Sequence, residues 1–301
     1  MLRYILIGGL LLPAVALAGG QPELPPFVLE LPAAVQSVLV AEAERSTLHL
    51  YTREGPRFRR AAGFYMSIGE NGIGKERAWD RRTPLGVYFI TDRLDPAQTP
   101  LHERYGVLAL PLDYPNALDR RRGRSGDGIW IHGVLPADGR RPPLDTDGCL
   151  ALANEDLVTV DGAVELLSTP VLVARSIATA SPGSAAALRK ALRSALDSWA
   201  DSFRRGAWPA YLAAYADDFR YRGLDRDEYA AYRVRAAATR PVRDYSIDEV
   251  FLLADPEQEN IYLARFRQVI TGPDGPVVTT KRLYWRREAD GAFRIVAEDN
   301  G

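Results

Sequence analysis

Residues 176–186, SIATASPGSAA, carry no charge and little apolar bulk, and they divide the chain into two stretches of different periodicity. Before them come short strand-like runs at Val38–Val40, Thr47–Tyr51 and Phe58–Ile68, separated by charged or Gly/Pro turns at hairpin spacing, and further runs at Gly106–Tyr114, Ile129–Ile131 and Val171–Val173. After them Leu188, Leu192, Leu196, Trp199 and Phe203 recur at helical spacing. Trp208-Pro209 breaks that helix, shorter helices follow near Ala210–Ala216 and Asp225–Ala238, and four strand runs close the chain, with Pro273-Asp274-Gly275 and Asp290-Gly291 as turns. At 301 residues there is chain enough for two cores. The pattern predicts a mainly β unit over 35–175, a linker over 176–186 and a smaller α+β unit over 187–301 whose curved sheet wraps the long helix, each folding on its own core.

Residues 1–18 read as a secretory signal peptide: Arg3, an apolar run from Tyr4 to Leu17, and Ala16-Leu17-Ala18 as a small-x-small cleavage site. Export to an oxidising compartment follows, with membrane contact only through that leader if it stays uncleaved. Residues 19–34 are proline-rich and read as an extended lead-in. The 38 basic and 39 acidic residues nearly cancel, which leaves no electrostatic footprint for nucleic acid. One cysteine excludes an internal disulfide, and with three dispersed histidines it forms no metal-ligand spacing, so neither metal nor cofactor is expected.

The segment Trp130–Asp156 holds that single cysteine, Cys149, and places His132 at the end of an apolar strand. A lone cysteine is most often a small buried hydrophobe. Here Gly148 permits a tight turn before the thiol, whose backbone N–H groups can face an oxyanion, and Gly133 lets the main chain approach the imidazole. A thiol in an oxidising compartment with an imidazole within reach reads as a nucleophile and its base. The expectation is a thiolate reactive near neutral pH.

This segment resembles the catalytic signature of the L,D-transpeptidase (YkuD-like) family of peptidoglycan enzymes: a His-Gly, a spacer, then Ser/Thr-x-Gly-Cys. The resemblance places the nucleophile on Cys149, the base on His132, the glycine whose carbonyl orients the imidazole on Gly133, and the active-site turn on Thr146, Asp147 and Gly148. Asp147 stands where many members have a second histidine, and Ala151 where an arginine often follows the cysteine. Residues 69–88 lack the Gly-Lys-Ser/Thr ending of a phosphate loop and instead resemble the family's Gly-rich loop followed by Asp-x-x-Thr-Pro-x-Gly-x-Tyr, leading into a strand that lines the cleft. Tyr114-Pro115-Asn116 followed by Asp119 is a further likeness. Lys75, Arg122 and Arg124 are candidate contacts for substrate carboxylates. Asn154-x-Asp-Leu reads as a cap opening a helix over Leu157–Leu167 and resembles the branch containing lipoprotein-crosslink hydrolases and cell-shape L,D-carboxypeptidases.

The resemblance implies a YkuD-like β-sandwich with short helices, and the second unit is similar in pattern to an NTF2-like cone. It further implies a periplasmic cysteine enzyme of cell wall biogenesis and cell shape, acting on peptidoglycan stem peptides at the diaminopimelate–D-alanine bond. An amine acceptor makes it an L,D-transpeptidase, and water makes it an L,D-carboxypeptidase or crosslink hydrolase. The alternative outside enzymology is an inactive peptidoglycan-binding module. The C-terminal unit is the candidate for a wall-docking or homodimer surface.

Overall fold

The computed structural model describes residues 24–95, 103–135, 139–177 and 182–301. The leader read at residues 1–18, His102 and the middle of the expected linker lie outside the described residues. After β1 (Val28–Glu30) come β2 (Ser37–Glu42), β3 (Thr47–Glu54), β4 (Arg57–Gly69), β5 (Gly86–Phe89), β6 (Ala109–Pro111), α1 (Ala117–Arg121), β7 (Trp130–His132), β8 (Leu144–Thr146), β9 (Leu150–Leu152), α2 (Asn154–Asp161) and β10 (Pro170–Ala174). Strands β2 to β10 join in the order β5-β10-β2-β3-β4-β9-β7-β6, with β8 branching from β4. This path folds over one core, to which Leu39, Leu48, Met66, Ile131, Leu150 and Val171 all contribute, and the result is the expected mainly β unit with short helices.

Alternation along three of these strands explains the rest of the molecule. Leu39 and Ala41 of β2, Tyr88 of β5, and Val171 and Val173 of β10 face that core. Their neighbours Val38, Val40, Val87, Phe89 and Leu172 face the other way, into a second apolar cluster shared with Phe251, Leu253, Ile261, Leu263 and Val296 of the C-terminal unit. Strands apolar on both faces need a second layer, and the C-terminal unit provides it.

That unit consists of α3 (Pro182–Arg204), α4 (Trp208–Ala213), α5 (Arg226–Thr239), β11 (Asp244–Ala254), β12 (Ile261–Gly272), β13 (Gly275–Arg287) and β14 (Phe293–Asp299). Leu192, Leu196, Trp199 and Phe203 form the buried stripe the periodicity predicts, set against Tyr245, Leu252 and Phe266 of the sheet. Contrary to expectation Pro209 does not end α3, which stops at Arg204 before Gly206 (φ +65°); it sits in the first turn of α4, where its missing N–H removes nothing.

Three expectations are corrected. The lead-in is not merely extended: Val28 and Glu30 pair antiparallel with Leu253 and Leu252, so β1 completes the C-terminal sheet as β1-β11-β12-β13-β14. The long helix starts at Pro182, inside the expected linker. The C-terminal unit has its own core, yet one of its strands comes from residues 28–30 and one face is covered by the first unit.

Candidate active site

Strands β7 and β9 run parallel with Ile131 opposite Leu150 and His132 opposite Ala151. Cys149, one residue before β9, therefore stands level with Trp130 and on the same sheet face as His132, with Cα atoms about 8 Å apart by strand geometry. Both side chains line one cleft of about 350 Å³, together with Lys75, Trp79, Arg104, Tyr105, Arg141, Thr146 and Asp147. The spacing that suggested a nucleophile and a base thus brings them to the same cavity wall.

The turn before Cys149 is tied at every polar atom of Thr146 and Thr83. Thr146 Oγ1 accepts from the Gly148 N–H (3.1 Å) and donates to the Cys149 carbonyl (2.8 Å). Thr83 Oγ1 accepts from the Gly69 N–H (2.9 Å) and donates to the Gly148 carbonyl (2.9 Å). Gly148 has φ +124°, and a Cβ there would lie 2.6 Å from the Arg82 carbonyl, so only glycine fits. The Thr-Pro-x-Gly-x-Tyr stretch is accordingly a buttress behind Cys149. Its strand β5 pairs with β10, away from the cleft lining.

His132 Nδ1 donates to the Gly133 carbonyl at 2.6 Å, which leaves Nε2 as the basic nitrogen. The Tyr105 ring packs edge-on against the imidazole at 5.1 Å. Asn154 fixes the main chain beyond the histidine: its Oδ1 accepts from the Val134 N–H (3.0 Å) and its Nδ2 donates to the Val134 carbonyl (3.1 Å). A Cβ on Gly133 would fall 2.1 Å from that Oδ1. Asn154 is therefore not a helix cap, as its sequence context suggested: the N-cap of α2 is Ala153, with no side-chain cap, and α2 ends at Asp161. Tyr105 is a residue sequence reasoning missed, and Asn154, singled out there as a cap, holds Val134 instead. No local signal marks either contact, since each is made to a residue distant along the chain.

The electrostatics correct a further expectation. Burial pushes the Cys149 thiol up to about 11, with Asp147 adding to it, against the opposing effects of a hydrogen bond from the Trp130 backbone and, more weakly, of Arg104 and Lys75. Burial, with Arg141 and Arg104 beside it, lowers His132 to about 4 despite the Gly133 bond. The resting pair is thus a neutral thiol, whose Sγ donates to the Gly128 carbonyl at 3.2 Å, and a neutral imidazole, not a preformed thiolate. Asp147 opposes a thiolate rather than supporting one.

Lys75 reaches the cleft, but its ammonium is engaged by Asp80 Oδ1 (2.8 Å) and the Arg77 carbonyl (3.2 Å). Arg122 and Arg124 do not line the cleft. Both bind Glu257 of the C-terminal unit, at 2.8 and 2.6 Å, and Arg124 also bonds Asp119. Acidic partners over a hundred residues away take up the arginines read as substrate contacts. The cleft's arginines are instead Arg104 and Arg141.

Fold and site together define a two-domain protein whose first domain sets a cysteine and a histidine on one cleft wall. Residues 36–173 match the L,D-transpeptidase catalytic domain, YkuD, and residues 191–299 match the Cds6 C-terminal NTF2-like domain. The first domain is thus an L,D-transpeptidase (YkuD) domain, and an NTF2-like domain is attached to it. It is 28% identical over 116 residues to the presumed L,D-transpeptidase YafK of Escherichia coli (strain K12), a match covering 38% of this chain and 41% of that relative. Two solved structures share the whole architecture. The helical cell shape determining protein Pgp2 from Campylobacter jejuni superposes with TM-score 0.76 at 21% identity, covering 91% of this chain and 95% of that one. Bd1075 from Bdellovibrio bacteriovorus gives 0.74 at 20% identity, covering 93% and 98%.

Proposed function

We propose that this protein is a periplasmic cysteine enzyme that acts on peptidoglycan stem peptides at the bond between the L-centre of meso-diaminopimelate and the terminal D-alanine. The observation that carries the reading is the shared cleft wall, with Cys149 and His132 on adjacent parallel strands and Nδ1 of the imidazole tied to Gly133. With both groups neutral, the attack is base-assisted. His132 Nε2 takes the thiol proton as Sγ bonds to the scissile carbonyl, then gives it to the departing amine as the C–N bond breaks, leaving a thioester. Since the Gly148 N–H is engaged by Thr146, oxyanion stabilisation falls to the Cys149 amide rather than to both glycine and cysteine.

Transfer of the acyl group to a stem-peptide amine is the L,D-transpeptidase outcome. Hydrolysis is a second reading, supported by Asp147 and Ala151 standing where relatives carry the histidine and arginine beside the nucleophile. Incubation of a tetrapeptide muropeptide with and without excess acceptor amine, followed by mass spectrometry, separates the two. A tripeptide unchanged by amine means hydrolysis, whereas a diaminopimelate-to-diaminopimelate dimer means transfer. Cys149→Ala should abolish both without unfolding the chain, and retained turnover in that variant would overturn the proposal.

A further inference from the structure

Arg141 lies in the segment joining His132 to Cys149, and its backbone is fastened to the sheet. The Tyr65 hydroxyl of β4 donates to the Arg141 carbonyl at 2.8 Å, and the Ile68 N–H donates to the Pro143 carbonyl at 2.9 Å just before β8 pairs with β4. Its side chain lines the cleft. One nitrogen, Nη1, donates to the Asp145 carbonyl at 3.0 Å and lies 3.6 Å from the Asp145 carboxylate. Nε is shut off from solvent and has no hydrogen-bond acceptor among the described residues. A buried N–H with no acceptor has lost its water without replacement; when the side chain turns to uncover it, the Nε–Nη2 edge to which it belongs has the fork geometry that meets a carboxylate with two parallel bonds.

The position of that edge narrows the ligand. The Arg141 charge acts on the His132 imidazole more strongly than Arg104 does, whereas the groups that act most on Cys149 are the Trp130 backbone, Asp147, Arg104 and Lys75. Arg141 therefore belongs to the imidazole side of the nucleophile. That is the side of the leaving group, because the imidazole must hand its proton to the departing amine. In a terminal D-amino acid the carbon bonded to that amine also bears the carboxylate, which therefore lies next to the proton donor.

Building on the proposed reaction, we propose that Arg141 binds the α-carboxylate of the D-amino acid on the leaving side of the scissile bond, so that the site selects stems ending in a free carboxylate. The same anchor would receive an incoming D-centre, whose amine is likewise adjacent to a carboxylate. Arg141 thus takes the carboxylate-binding part that Arg122 and Arg124 cannot.

The test compares a tetrapeptide stem ending in D-alanine with the same stem ending in D-alaninamide, on the full chain and its Arg141→Gln and Arg141→Lys variants. Wild type should favour the free acid in kcat/KM by on the order of tenfold to a hundredfold. Arg141→Gln should lose that preference, its kcat/KM falling far more on the free acid than on the amide and mainly through KM, and Arg141→Lys should recover part of it. Equal use of both stems by wild type, or an equal loss on both in Arg141→Gln, would overturn the proposal and leave Arg141 a loop brace for Asp145. If wild type turns over neither stem, the proposed reaction falls instead. Binding of D-alanine against D-alaninamide to Cys149→Ala, followed by NMR, then decides the carboxylate site. Binding of D-alanine alone, lost on adding Arg141→Gln, supports it, and binding of neither overturns it.

Discussion

Cys149 and His132 are held neutral for the same reason, burial at the end of paired strands, and this sets a pH signature opposite to that of a preformed ion pair. In the proposed reaction His132 must be unprotonated to accept the thiol proton, so kcat/KM should fall only as pH drops through about 4. The unliganded thiol should alkylate slowly near neutrality and accelerate as pH climbs towards about 11. Iodoacetamide rates measured against pH check this, and a plateau reached by pH 6 would contradict it. Cysteine and histidine could be found in the sequence because the chemistry constrains residue types within one short segment. The tying of Val134 by Asn154 and the edge-on packing of Tyr105 could not, since each depends on which distant loop the fold brings alongside. The arginines failed for the same reason: nothing near Arg122 or Arg124 in sequence announces Glu257.

The loop from Gly74 to Thr83 is organised by one carboxylate at the scale of a structural element. Asp80 accepts from Lys75 Nζ (2.8 Å) and from the N–H groups of Glu76 (2.8 Å), Arg77 (3.0 Å) and Arg82 (3.1 Å). Burial alone would raise its pKa, but Lys75 and these backbone donors outweigh it and hold the carboxyl well below the usual range. Its contribution to stability is therefore complete above the ordinary carboxylate pKa and is lost as pH falls below it towards the folded value. The loop presents Trp79, 91% exposed and at φ +64°, at the cleft. Asp80→Ala would strand the nearly buried Lys75 ammonium and should destabilise the protein by about 3 kcal/mol, read by denaturant unfolding. A loss under about 1 kcal/mol would show that the loop is not held this way. Other elements were easier to read: β2 and β10 are continuous apolar runs, which already require cover on both faces. Their partner stayed hidden because the second layer comes from the far end of the chain.

The shared apolar layer governs how the whole molecule behaves when cut. Phe89 meets Phe251 edge-on at 5.7 Å, with the Arg265 guanidinium over both rings at 4.4 and 4.9 Å, and Arg122 and Arg124 grip Glu257 nearby. A chain nicked by a specific protease at a site placed between Ser176 and Ser181 should therefore elute as one particle in gel filtration without denaturant. Two separate peaks would restore the picture of independent units. The pairing of Val28 with Leu253 also has a kinetic side. A contact between residues so far apart closes one of the longest loops the chain can form, and such contacts come late because their entropy must be surrendered first. During synthesis the first strand emerges with no partner until Ala254 and its neighbours follow. The catalytic domain can meanwhile bury its own core. The cone's sheet gains its last strand only from the other end of the chain, so for the second domain, completing the sheet and docking become a single closing step.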